Sequence, residues 1–382
     1  MRSKKRAGLM VGLCLSALGL WVGMSTCLGS EGFLQALEPR ALAFPKDHTD
    51  HPGFQTEWWY YTGNLVGKRD RPFGFQLTFF RVQLKAAPPA SDSAWRTHEL
   101  FFAHLTVSDV ARETFLVAEK SGRGAKGIAG VSSKPSGVRV FLHGWETVIR
   151  EKTHQLRARS DQFGIDLKLV SQKPPVLHGE RGLSRKGAGP GQASYYYSLP
   201  RMGTQGTLRI GPETFHVSGL SWMDHEFTSN VLSKDQQGWD WMSLQLSDGS
   251  ELMVYVLRHK DGSPDPYSSG TMIRKDGTWV HLPREAFAIR ATSYWDSPRS
   301  KARYPSSWEV AVLSHDMSLK VMPKLKDQEL ITEQSTGVTY WEGSVRVAGT
   351  VAGQRVTGSG YVELTGYAEG FDPAFQGAHI ED

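Results

Sequence analysis

The chain states one pattern twice, and that repetition limits the folds open to it. Trp58-Trp59-Tyr60 followed by Leu65 matches Trp239-Asp240-Trp241 followed by Leu246 at equal spacing, and each run continues through a turn into an apolar segment ending at Arg81 or Arg258. Val217-x-Gly219-x-x-Trp222-Met223-Asp224 likewise matches Val356-x-Gly358-x-x-Tyr361-Val362-Glu363. Each half therefore opens and closes on an aromatic–acidic strand. Stacked solenoids need three or more short repeats, so two long copies point to two tandem β-domains. The stretch Trp222–Trp241 is the hinge between them and holds the densest set of aromatic and ionisable side chains.

The segments between these anchors read as strands. Phe73-Gly-Phe75-Gln-Leu77-Thr-Phe79 alternates with period two, the mark of a half-buried strand. Phe101–Val107, Val138–Leu142, Leu156–Arg159 and Ile165–Val170 follow at short spacing, separated by Gly and Ser, as a barrel or a sandwich requires. Asp248-Gly249, Asp261-Gly262 and Asp276-Gly277 mark tight turns, and Trp341–Val351 with Arg355–Leu364 reads as a hairpin about Gly353. Pro174–Gly191 breaks the composition and reads as a long loop, a common place for a lid or binding element. No helical periodicity is sustained; at most one short helix per domain is expected.

The N-terminus carries an address. Arg2, Lys4, Lys5 and Arg6 precede the uncharged apolar run Leu9–Met24 and small residues near Gly29-Ser30, the layout of an export signal over residues 1–29. The apolar run is short for a transmembrane anchor, the rival reading. Loss of those four basic residues takes the net charge from +5 to +1, so the basic balance gives no reason to expect nucleic acid as a partner. Both cysteines, Cys14 and Cys27, fall in the same segment, so the exported chain would hold no disulfide. An acylated Cys27 or a retained signal would give membrane association. The expected layout is a linker over 30–46, an N-terminal domain over 47–230 and a C-terminal domain over 231–382.

The motifs HPGFQTEWWYYTGNL, FGFQLTFFR, PPVLHGERGLSRKG, ASYYYS, WMDHEF, GWDWMSLQLSDGSELM, DQEL, YWEG and GYVELTGY carry a resemblance. Over about residues 44–370 the chain resembles the AttH-like and carotenoid hydratase (hydroxyneurosporene synthase) family, more closely its secreted AttH-like branch. The resemblance implies an all-β fold of two tandem lipocalin-like antiparallel β-barrels with a ligand site near their junction. It also implies a periplasmic or extracellular protein binding an apolar, isoprenoid or lipid-like molecule, in support of an ABC-transporter permease. The alternative it implies is a hydratase or lyase acting on an isoprenoid double bond. The "secreted hydrolase" label attached to such proteins gains nothing here, since no G-x-S-x-G elbow is present.

Hydration of an alkene needs a proton donor, aromatic faces to shelter a cation, and a base to direct water. Asp224, His225, Glu226 and Asp240 are the candidate catalytic residues, because they cluster at the expected junction. Glu57, Trp58, Tyr60, Tyr196, Trp222, Trp239, Trp241 and Tyr361 are the candidate ligand-binding residues. Each has an ordinary structural role beside the functional one. Glu57 and Trp58 fit a filled barrel core, and the acids near each Trp can pair with Arg81 or Arg258 on a neighbouring strand. Alternation puts Trp58 and Tyr60 on one face and Glu57 and Trp59 on the other, with Asp240 opposite Trp239 and Trp241. His178 lies in the Pro174–Gly191 loop, within reach of a junction site. Asp47-His48-x-Asp50-His51 offers metal-type ligands, but reads first as a turn before the first strand. Gly122-x-Gly124-x-x-Gly127 lacks a βαβ context, so no cofactor is expected. The basic run Arg181–Lys186 reads as a solvated loop.

Overall fold

The computed structural model describes residues 32–86, 98–230 and 232–368. The expected signal segment, both cysteines and the C-terminal tail lie outside these residues. The described chain is almost entirely antiparallel β-structure in two sheets, one a nearly closed barrel and the other a half-barrel. The first sheet has 13 strands from Thr56–Val66 to Glu213–Thr228, and the second has 10 from Gln236–Leu246 to Gln354–Leu364. In place of the short helices expected, only single 3-10 turns occur among the described residues. No described helix is long and apolar enough to cross a membrane.

The two sequence alignments meet in one structural device. In each sheet the first strand pairs with the last. Leu65 pairs with Gly219 in the first sheet, and its counterpart Leu246 pairs with Gly358 in the second. A Cβ on Gly219 would stand 2.1 Å from the Asn64 carbonyl, and one on Gly358 2.3 Å from the Gln245 carbonyl, so both places demand glycine. Five residues back along each first strand, Tyr60 pairs with Asp224 and Trp241 with Glu363.

Strand alternation then gives each sheet two different faces. One face of the first sheet buries Trp59, Tyr61, Phe75, Leu77 and Met223 in a core of its own, and one face of the second buries Met242, Leu244, Val345 and Val362. The opposite faces carry Tyr60, Tyr196 and Trp222 from the first sheet and Trp241, Tyr255 and Tyr361 from the second, and these pack together as a third cluster. Asn64 locks the contact by donating to the Gly360 carbonyl at 3.0 Å and accepting from Lys324 at 2.5 Å.

Two segments depart from expectation. Residues 32–46, expected as a linker, pack on the first sheet, with Ala36 buried among Phe54, Leu183 and Tyr195. Within Pro174–Gly191, Val176–Leu177 and Leu183–Arg185 add short strands to Ala193–Ile210, so this loop is pinned to the first sheet.

Candidate functional site between the two sheets

The packed faces do not meet everywhere. They leave a cavity with about 1260 Å³ of empty space including its mouth. Trp58, Phe80, Trp239, Trp241, Leu257 and Val338 give it apolar walls, and Asp224, Glu226 and Glu363 line it with carboxyl groups. It lies outside both barrel cores, on the faces that alternation turns toward the partner sheet.

Asp224 is the most elaborately held of these acids. Tyr196 donates to its Oδ2 at 2.7 Å, Trp222 Nε1 donates to its Oδ1 at 2.6 Å, and Ser198 Oγ donates to the same oxygen. Trp241 Nε1 donates in turn to the Tyr196 hydroxyl at 3.0 Å. Behind Ser198 stands His178, whose Nε2 is 2.6 Å from Ser198 Oγ and whose Nδ1 is 2.8 Å from Thr271 Oγ1. Since Ser198 donates to Asp224, His178 Nε2 carries the hydrogen. Burial pushes the Asp224 carboxyl up to about 7, against the three donors that favour its charged form.

The facing wall has its own acids. Burial pushes Glu363 up to about 7, against a 3.0 Å hydrogen bond from Trp239 Nε1 and with the charges of Asp224 and Glu226 adding to the rise. Glu342 is the direct cross-strand neighbour of Glu363, and burial together with the charge of Glu363 raises its carboxyl well above the ordinary range. Tyr60 reaches across from the first sheet to donate to Glu342 Oε1 at 2.7 Å. Glu226 accepts from Ser194 and forms an ion pair with Lys186 at 3.3 Å. The Lys186 ammonium also sits 3.9 Å from the centre of the Tyr255 ring. Burial opposes the charge on Lys186, but Glu226 and Tyr255 outweigh it and raise its pKa. His104 lines the cavity hydrogen-bonded to Tyr340, and burial lowers its pKa to about 3, so it is neutral.

Of the residues expected from sequence, Trp58, Tyr60, Tyr196, Asp224, Glu226, Trp239 and Trp241 line this cavity. Trp222 and Tyr361 stand behind it in the aromatic cluster. Three others lie elsewhere, all sent by alternation to the opposite strand face. Glu57 and His225 are inside the first barrel. There Arg81 Nε donates to Glu57 Oε2 at 3.0 Å, while His225 Nε2 and His51 Nδ1 stand 2.8 and 2.7 Å from Glu57 Oε1. Asp240 is on the core side of the second sheet, held by Arg258 at 2.8 Å and by the Tyr367 hydroxyl at 3.0 Å. These are the arginine pairings that sequence offered as the ordinary role.

His51, Glu57 and His225 bring potential ligand atoms within 4.8 Å of one another. Arg81 already occupies the same carboxylate, and a guanidinium there repels a cation. His51 also bridges to Asp47 at 3.0 Å, and these two acids raise its pKa against the opposing effect of burial. The cluster therefore fits a hydrogen-bonded ion network better than a ligand set. His48 turns away to the Tyr197 hydroxyl at 2.7 Å, so the Asp47–His51 run acts as a turn packed on the first strand.

Sequence reasoning missed Glu342, Ser198 and the inward turn of Lys186, which leaves the solvated run expected of it. Glu363 is visible in the sequence only as the repeat counterpart of Asp224.

A nearly closed antiparallel barrel and a half-barrel enclosing an acid-lined aromatic cavity between them define the class, and comparison with known proteins places the chain within it. The chain belongs to the AttH-like family, whose model matches residues 35–367. The crystal structure of a Nitrosomonas europaea protein assigned to AttH is 33% identical and superposes with a TM-score of 0.79, covering 88% of this chain and all of that one. Kievitone hydratase of Fusarium solani subsp. phaseoli is 24% identical over 237 residues, 59% of this chain and 64% of that protein. The chain thus matches less than two thirds of that relative's length. The kievitone hydratase structure from Nectria haematococca shares the fold at 14% identity, with a TM-score of 0.65 over 88% of this chain and 98% of that one.

Proposed function

We propose that this chain is a hydratase-type enzyme that adds water to a carbon–carbon double bond of an apolar, isoprenoid-like molecule held between the two sheets. The observation that carries the reading is Asp224: a buried carboxyl, lining an aromatic cavity, with a pKa near 7. Burial holds its proton to near-neutral pH, so a large fraction of the chains carry the acid form there. Once it gives up its proton, Tyr196, Ser198 and Trp222 stabilise the carboxylate left behind. Trp58, Trp239 and Trp241 offer aromatic faces to the cation that protonation creates. The similarity to kievitone hydratase supports the same class of reaction.

The second reading is a carrier for an apolar ligand, and the apolar walls favour it. The expected export signal and an ABC-transporter permease as partner belong with that reading. Acids poised near neutral pH on both walls add nothing to simple carriage, so the enzymatic reading is preferred. The test is incubation with kievitone as probe alkene, followed by mass spectrometry for the gain of one water. Turnover by the native chain that Asp224→Asn removes supports hydration. Tight binding with no mass gain supports carriage and rejects the enzyme reading for this probe.

A further inference from the structure

Asp224 and Glu363 occupy one position of the internal repeat. Asp224 pairs across strands with Tyr60, and Glu363 with Trp241, the counterpart of Tyr60. Each accepts an indole N–H, from Trp222 at 2.6 Å and from Trp239 at 3.0 Å. Each lines the same cavity, but from opposite sheets. A residue that served only to hold its own barrel together would face that barrel's core, as Val362 and Leu364 do on either side of Glu363.

We infer that Asp224 and Glu363 form an acid–base pair across the cavity, one carboxyl from each repeat, with Glu363 the base that takes a proton from the attacking water. This rests on the hydratase reading for its chemistry. In the reaction, the Asp224 O–H bond breaks and its proton bonds to one alkene carbon, using the π electrons. The cation at the other carbon accepts a lone pair of water, and the proton that water then loses passes to the Glu363 carboxylate. Exchange with solvent returns a proton to Asp224 and removes one from Glu363. Glu342 makes the roles unequal. Burial and the neighbouring charge of Glu363 keep a proton on Glu342 against the Tyr60 donor that favours its charged form, and this leaves Glu363 as the ionised member. The other titratable groups on the cavity are the Lys186–Glu226 ion pair, the Tyr60, Tyr196, Tyr255 and Tyr340 hydroxyls, and neutral His104. Burial raises both carboxyls into the neutral range, and the charge of Asp224 adds to the rise of Glu363, so the two sites feel each other across the cavity.

Carbon-13 NMR of aspartate- and glutamate-labelled full-length protein tests the pair without any substrate. The signals are assigned by their loss in Asp224→Asn and Glu363→Gln. In Glu363→Gln, the Asp224 midpoint should fall by about one pH unit, because a like charge is gone. Trp239→Phe, which removes the indole donor to Glu363 and keeps an aromatic ring in the wall, should raise the Glu363 midpoint. An Asp224 midpoint unmoved by Glu363→Gln overturns the pair. If the native chain hydrates kievitone, Glu363→Gln should lower kcat by about 100-fold or more with KM little changed, and Glu363→Asp should restore part of it. An unchanged kcat overturns the role as base. If the native chain leaves kievitone untouched, the hydratase reading fails for that probe while the NMR titration alone decides the pair.

Discussion

Tyr60 of the first sheet gives its hydroxyl hydrogen to Glu342 of the second across 2.7 Å, with both groups buried. This bond ties the barrels together at the cavity's edge. Tyr60→Phe removes the donor and leaves a buried carboxyl oxygen unpaired, at a cost of about 1–3 kcal/mol. Glu342→Gln should be far milder near neutral pH, because burial keeps that carboxyl protonated and an amide resembles it. Urea unfolding of both variants checks the contrast, and equal losses would mean that Glu342 is ionised.

The cavity acids should make stability depend on pH with a defined sign. Asp224 titrates near 3.8 when unfolded and about 7 when folded. Between those values the native chain binds more protons than the unfolded one, so stability falls as pH rises through that window. Asp224→Asn should flatten the slope and raise stability at pH 8 by an amount on the order of 4 kcal/mol, at about 1.4 kcal/mol per unit. Thermal melts from pH 4 to pH 8 give the answer; an unchanged slope would show that Asp224 is not held near neutrality.

Inside the first barrel, Glu57 and Arg81 face each other with no exposed side-chain surface. Removing one charge strands the other, so Arg81→Met should destabilise by about 3–5 kcal/mol, and adding Glu57→Gln should recover much of it. Neither variant that folds should move the Asp224 titration, since this network lies on the opposite strand face.

Asp240→Asn separates structure from chemistry in the second barrel. Its partners are Arg258 and Tyr367, and it does not line the cavity. Stability should drop by about 1–3 kcal/mol while any kievitone turnover stays unchanged. Loss of turnover in a well-folded variant would place Asp240 in the reaction.

The duplication and the strand faces were legible from the sequence, because the period of two is written into neighbours such as Glu57 and Trp58. Alternation separates Glu57 from Trp58 and Asp240 from Trp241, and the repeat itself puts Arg81 and Arg258 on the strands beside the two acids. Which face would turn inward was not legible. An aromatic–acidic strand buries the same residues whether its Trp fills a barrel or meets a second sheet. Glu342 and Lys186 escaped for another reason: their partners, Tyr60 and Glu226, lie 282 and 40 residues away, and no local pattern marks such meetings.

Each strand at the junction carries two lists of side chains. One, with Trp59, Tyr61 and Met223, is needed for the chain to fold at all. The other, with Trp58, Tyr60 and Asp224, faces the cavity. Neighbouring codons thus answer to separate selective demands. The cavity lining can be rewritten by editing every second residue, and mutational libraries confined to those positions should stay rich in soluble, expressible protein.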